Sequence, residues 1–469
     1  MVVDDLDAAV PPGPPSTPPA CTPPPSAGEP MNTPENPALA RQLQAHADQV
    51  SADLVCQEQQ WSGKWTRRRM IKGIGMAGVA ALGTQLVTTK VSFAATGASN
   101  GNTLIVVFLR GGADGLRMLV PAGSALGGDY LRTVRGPLVQ QNSDLLTLAG
   151  APGWALNKGF SSLMPFWNSG EMTFVPAVSA AGVTRSHFQA QQQLERGGSS
   201  APSGWLDRTL TALGPGTTFR AVSRGYASPA SMSGNEQKLS MSSLANFSFP
   251  GWDGVRDASM KAISTLYRGD VSVLGQDVPV TMKALGTAEQ ARKNSTPANG
   301  AVYPSGDFSG ALADLATMLK SEVGLQVATV DVGGWDTHTN EAGDLDGLVT
   351  AASTALAAFL KDLGPTRRKR VTVAVMTEFG RRVQMNASNG TDHGTGSLMF
   401  LLGGGLRRSA VAGAWQPLSA GTLQDGDVPV RNQAFDVLGE LIQKRLGVGT
   451  LGTVFPGFQP RPLDLATAS

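Results

Sequence analysis

From about residue 100 onward the chain alternates short, uniformly apolar runs with longer stretches of helical period. The runs TLIVVFLRG (103–111), MTFVPAVS (172–179), LQVATVDV (325–332), RVTVAVMTEF (370–379) and SLMFLLGGG (397–405) place apolar residues at consecutive positions. That is how strands read when both faces are covered. Between and after them, FSGALADLATMLKSEV (308–323), DLDGLVTAASTALAAFLKDL (344–363) and NQAFDVLGELIQKRLGV (432–448) repeat their apolar residues at the spacing of one helix face; in the last, Phe435, Leu438, Leu441, Ile442 and Leu446 share a side. Strands covered on both faces and separated by helices predict an α/β fold, a three-layer sandwich around a mostly parallel central sheet. Residues 215–305 are Ser/Ala/Gly-rich and weakly patterned, so they are expected to form an insertion or cap within a domain spanning 95–469. No internal repeat is visible.

The chain ahead of that domain has another character. Residues 1–65 contain VPPGPPSTPPACTPPPSAGEP, too rich in proline and too poor in apolar residues to pack, and are expected to be disordered. Within residues 66–94, Thr66-Arg67-Arg68-Arg69-Met70-Ile71-Lys72 fits the twin-arginine pattern at every position. A mildly apolar, glycine-rich stretch follows, then SFA, a small-residue cleavage site. The expectation is a signal peptide read by the twin-arginine translocase, with a periplasmic or secreted product. The apolar segment is too short for a permanent membrane span. GIGMAG in the same stretch matches a dinucleotide fingerprint, but TRRRMIK rather than a strand precedes it. Both cysteines, Cys21 and Cys56, lie upstream of a cut near Ala94, so the exported chain is expected to form no disulfide. A net charge of +2 gives no footprint for a nucleic-acid partner.

Histidine is scarce, and its placement carries the chemistry. Of His46, His187, His338 and His393, the first lies in the proline-rich leader. The others sit in TRSHFQAQ, GGWDTH and GTDHG, beside hydroxyl or carboxylate residues. Asp114 follows the first strand, His187 follows MTFVPAVS, Asp336 and His338 follow LQVATVDV, and Glu378 ends RVTVAVMTEF, with Asp392 and His393 in the loop beyond. Open α/β sheets build their sites at the carboxyl ends of strands, so these groups are expected on one rim. Singly, Asp336 fits a turn cap, Asp392 an Asx-turn, and Glu378 an ion pair with Arg381 or Arg382. Their conjunction points to a metal. Asp, Glu and His without thiolate suit a divalent ion (Zn, Mn, Mg or Ca), and two ions about 4 Å apart would clamp an in-line displacement. Thr184 or Ser186 supplies a hydroxyl that a metal could ionise, with Arg185 and helix N-terminal amides holding a phosphate. Ordinary N-capping is equally open for either hydroxyl.

Five stretches in fixed order, FLRGGADGL, TRSHFQAQ, GGWDTH, TEFGRR and GTDHG, behind a twin-arginine signal, resemble a large bacterial family, domain-of-unknown-function family 1501, over about residues 100–450. That family is placed in the alkaline phosphatase and sulfatase superfamily, so the resemblance implies an alkaline-phosphatase-like sandwich with a two-metal site at the strand ends. It implies that Asp114 is the first metal aspartate, that Ser186 or Thr184 occupies the nucleophile region, and that Asp336 and His338 form the Asp/His pair of the other metal. VMTEFGRRVQMNASNGTDHG is similar to phosphopentomutase-type sequences; on that likeness Glu378 stands for an aspartate, Phe379 replaces a histidine, His393 is the late histidine, and His187 substitutes from another loop. The expected function is an exported metal-dependent hydrolase of phosphate- or sulfate-type esters, small-molecule or polymer. Asp336, His338 and His393 would hold one ion, and Asp114 and Glu378 would hold or approach a second. Ser186 would attack, while Arg185 and Arg381 bind the oxyanion. The formylglycine branch does not fit, since the mature region has no cysteine and no C/S-x-P-x-R motif. The altered motifs GGWDTH and TEFG motivate an alternative, a catalytically silent envelope binding protein on the same fold.

Overall fold

Alternate residues of the first strand face two different cores. In the computed structural model, which describes residues 101–198, 203–225, 228–249, 253–269 and 272–468, β1 (Thr103–Leu109) sends Ile105, Val107 and Leu109 into one buried cluster and Leu104, Val106 and Phe108 into another. A period of two explains this, because successive side chains of a strand leave opposite faces. The proline-rich leader, the twin-arginine pattern and both cysteines lie outside the described residues.

In chain order there follow β2 (Met172–Ser179), α1 (His187–Arg196), α2 (Trp205–Leu213), β3 (Ala221–Arg224), β4 (Leu239–Met241), α3 (Asp253–Leu266), α4 (Val273–Arg292), α5 (Asp307–Lys320), β5 (Val327–Val332), α6 (Glu341–Arg368), β6 (Val371–Thr377), β7 (Ser397–Gly403), β8 (Ala410–Val411), β9 (Asn432–Gln433) and α7 (Ala434–Leu441). The central sheet has the order β8-β2-β7-β6-β1-β5-β3-β4, with β9 also on β2. Every pairing in it is parallel except those of β7, which runs against β6 and β2. A separate three-stranded antiparallel sheet joins Leu119–Pro121, Leu145–Thr147 and Trp154–Asn157.

Helices cover both faces. Leu312 and Leu315 of α5 and Leu345, Val349, Leu356 and Phe359 of α6 pack with Val330 and Val375. On the other face, Trp205, Leu206 and Leu210 of α2 and Phe435, Leu438 and Leu441 of α7 pack with Val327 and Met376. The architecture is therefore an α/β three-layer sandwich on a mostly parallel sheet. Residues 215–305 contribute β3 and β4 to the sheet edge, then α3 and α4. Their weak patterning reflects strands of only four and three residues, too short to show a period.

One topological fact positions the site. β1, β2, β5 and β6 run the same way, so their carboxyl ends share a rim. Because β7 is reversed, the loop entering it starts from that rim too.

Candidate metal centre

Four groups converge at that rim. His187 is the first residue of α1, Asp336 and His338 lie in the loop after β5, and His393 lies in the loop before β7. Asp336 Oδ1 is 3.0 Å from His338 Nε2 and 3.1 Å from His393 Nε2, its Oδ2 is 3.4 Å from His187 Nε2, and the two Nε2 atoms of His338 and His393 are 2.9 Å apart. One ligand atom each from His187, Asp336 and His393 lies within 4.8 Å of the others. Ligands about 2.0–2.1 Å from a common ion are separated by about 3.0 Å (octahedral edge) to about 3.4 Å (tetrahedral edge). The short separations here are of that size.

The outer ring nitrogens face acceptors. His187 Nδ1 faces Glu378 Oε1 at 2.8 Å, His393 Nδ1 faces the Arg185 carbonyl at 2.8 Å, and His338 Nδ1 faces Asp392 Oδ1 at 3.4 Å. Each of those atoms only accepts, so His187 and His393 carry a proton on Nδ1, and with a cation at the centre each Nε2 would turn its lone pair toward it. The three Nε2 atoms and the Asp336 carboxylate stand at distances that hydrogen bonds and shared metal coordination both produce, and a cation among them would take all of their lone pairs. His187 Nε2 is buried without a hydrogen-bond partner, which a metal ion would supply. The donor set, nitrogen-rich with one carboxylate, suits Zn²⁺ or Mn²⁺ better than Mg²⁺ or Ca²⁺.

The surrounding residues fix these rings. Phe379, fully buried, packs its ring 4.9 Å from that of His187 and 4.7 Å from that of His393; the phenyl at the ligand-like position is a floor. Glu378 stands behind His187. Its Oε1 accepts from Gly111 N, Gln191 Nε2 and His187, and its Oε2 accepts from Thr377 Oγ1. Burial pushes this carboxyl up, but Gln191, His187 and the Gly111 amide together outweigh it and hold it below the usual range. Asp336 behaves likewise: partial burial raises it, and Arg381 with His393 lowers it further, so it stays ionised.

Arg381, expected to bind an oxyanion, is buried instead. Its guanidinium donates to the carbonyls of Gly111, Gly112, Trp335 and Thr391 and to Asp336 Oδ1 at 2.6 Å. Buried and bonded to protein through Nε, Nη1 and Nη2, it orients Asp336 and does not face a substrate. Asp114, expected as a ligand, is not brought to the centre. It is fully buried and paired with Arg135 in a closed cluster that includes Glu341. Asp392 is exposed and sits behind His338.

The TRSH segment forms the entrance. Ser186 is the N-cap residue of α1, yet its side chain makes no capping bond, while Thr184 Oγ1 accepts from Ser186 N at 3.3 Å. Arg185 is partly exposed and its Nε and Nη2 hold Asp427 Oδ2 at 3.0 and 2.7 Å. The sequence reading missed Gln191, Thr391, Arg135 and Glu341. Gln191 had a signal, lying one helical turn beyond His187; the other three meet their partners only across the fold.

A family model described as a protein of unknown function, DUF1501, matches residues 176–438. No curated protein matches the chain. Solved structures similar to it include the lipoteichoic acid synthase LtaP from Listeria monocytogenes, at 11% identity over 76% of this chain and 80% of that one, with a TM-score of 0.29. The C-terminal periplasmic domain of EcEptC from Escherichia coli, in complex with Zn, gives 11% identity over 79% and 92%, with a TM-score of 0.34. A protein in the alkaline phosphatase superfamily from Vibrio parahaemolyticus gives 11% over 76% and 73%, with a TM-score of 0.25.

Proposed function

The chain belongs to the DUF1501 family of proteins of unknown function, and on that premise we propose that it is an exported, metal-dependent hydrolase of phosphate- or sulfate-type esters. The observation that carries the reading is the convergence of three imidazole Nε2 atoms on Asp336, each ring facing an acceptor on its other side, with His187 Nε2 buried and without a hydrogen-bond partner. His187, Asp336 and His393 would hold the ion, with His338 beside them. A divalent ion there supplies Lewis acidity, lowering the pKa of a nearby hydroxyl and drawing charge from an ester oxygen.

The chain's own part follows from the entrance. Ser186, adjacent to His187 and free of a capping role, would attack the phosphorus or sulfur; its proton would pass to the departing ester oxygen, and water would then release the acid. Arg185, anchored by Asp427 and open to solvent on its other side, is the cation for a non-bridging oxygen. Arg381 keeps Asp336 ionised and oriented. Among the described residues no helix is long and apolar enough to cross a membrane, and the twin-arginine pattern adds export to the proposal.

The test is metal analysis of the purified exported chain together with hydrolysis of 4-nitrophenyl phosphate, its diester and 4-nitrophenyl sulfate. About one equivalent of Zn or Mn is expected, with turnover abolished by chelation and reduced at least about 100-fold in Ser186→Ala. A tightly held ion with no turnover of any ester would sink the hydrolase and leave the silent binding protein.

A further inference from the structure

Below the centre lies a second set of ionisable groups that the proposed chemistry does not use. Asp114, Arg135 and Glu341 side chains are each 3% exposed or less. Arg135 donates through both terminal nitrogens to Asp114, Nη2 reaching Oδ1 at 3.1 Å, and its Nη1 is 3.9 Å from Glu341 Oε1. Its Nε donates to the Val383 carbonyl at 2.9 Å and its Nη2 to that of Arg382 at 3.0 Å. Glu341 Oε2 accepts from Thr391 Oγ1 at 2.6 Å, and Thr391 stands two residues before His393. Two carboxyls deep in the fold beside a metal centre are what a second cation would be expected to bridge.

The charge is already balanced. Burial pushes Asp114 up, but Arg135 outweighs it and holds the carboxyl ionised. Burial and then the Asp114 charge push Glu341 up to about 8, so near neutral pH it keeps its proton. One carboxylate, one guanidinium and one neutral acid sum to zero. A divalent ion entering here would have to expel both the guanidinium and the proton, and would recover no water-facing coordination in return.

We infer that Arg135 is a built-in cation at the place that Asp114 was expected to give to a second ion, so that the centre takes a single divalent ion. The count of ions rests on the metal reading above; the role of Arg135 does not. The cluster also carries the late-histidine loop, through the Glu341 to Thr391 bond and the Arg135 bonds to the carbonyls of Arg382 and Val383.

Two measurements on the exported chain test this. After equilibration with excess Zn²⁺ or Mn²⁺ and gel filtration, one tightly held ion per chain is expected; two, or an ion located between Asp114 and Glu341 by anomalous scattering, would overturn the inference. In the second, Arg135→Met leaves the Asp114 carboxylate buried without its compensating charge and is expected to lower Tm at pH 7 by about 10 °C. Adding Asp114→Asn to that variant removes the unpaired charge, Glu341→Gln keeps the neighbouring group neutral at every pH, and together they should recover more than half of the loss. A purely structural arginine predicts no recovery, because its bonds to Arg382 and Val383 stay broken. If Arg135→Met does not fold, the triple variant still decides: folding supports charge compensation, and failure to fold counts against it. If no ion binds at all, the metal reading fails while the thermal comparison still judges Arg135.

Discussion

At the scale of single residues, the centre depends as much on what stands behind each ligand as on the ligand itself. Glu378 shows this best. It was expected to meet a metal, yet its carboxylate is consumed by four donors, one of them the outer nitrogen of His187. A carboxylate in that position fixes the tautomer of the ring and raises the basicity of its inner nitrogen. Glu378→Gln keeps the shape and removes the charge. It should weaken Zn²⁺ affinity by about 10–100-fold, measured by competition with a chromophoric chelator, while ion stoichiometry at saturation is unchanged. Unaltered affinity would remove Glu378 from the account.

At the scale of elements, the ligands belong to loops that must approach one another closely, and glycine permits it. Gly111 has φ of 128°, and a side chain there would overlap the backbone of Trp335 and Asp336. Gly390 lies against the backbone of Thr337 and His338, where the loop before β7 crosses the loop after β5. Asn386 ties the same crossing by donating to the His338 carbonyl at 2.9 Å. Gly390→Ala should therefore cost about 1–3 kcal/mol and weaken ion binding together with stability. Gly347→Ala, in exposed helical backbone of α6 with nothing within 4 Å, should instead stabilise by up to about 1 kcal/mol. Denaturant midpoints of the two variants, with and without Zn²⁺, read both effects; equal behaviour would mean that the loop crossing is loose.

At the scale of the whole molecule, the buried acid under the sheet rim gives folding a pH dependence. Glu341 has its carboxyl pushed up to about 8 by burial and by Asp114, whereas in the unfolded chain it ionises in the usual carboxylate range. Between those values the unfolded chain has released a proton that the folded chain keeps, so the unfolding free energy falls as pH rises. The contribution is complete below the usual carboxylate range and lost by the time pH passes about 8. Thermal scans from about pH 5 to about pH 9 should show this decline in the parent, and Glu341→Gln should flatten it. A decline that persists in the variant would assign the titration to another group.

How far these features were legible depends on the distance over which each is encoded. Local periodicity determined the strands and helices: a run such as IVVFL or VTVAVM has no amphipathic option, so it is buried on both faces wherever it goes. Covering such strands with helices favours a mostly parallel sheet, and parallel strands bring the loops that carry Asp336, His338 and His393 to one rim, whereas the strand order emerged only in the fold. Ser186 and His187 were visible as adjacent residues, but only the helix start shows that the serine does not cap it. The fates of Asp114, Arg381 and Glu378 could not be read from the chain. Whether a carboxylate or guanidinium meets a metal, a partner charge or a backbone carbonyl depends on groups up to 270 positions away, as with Arg381 and Gly111. Sequence thus determined which charges exist and on which edge they emerge. The tertiary structure decided which of them remain free, because a buried ionised group is stable only where the fold delivers its partner.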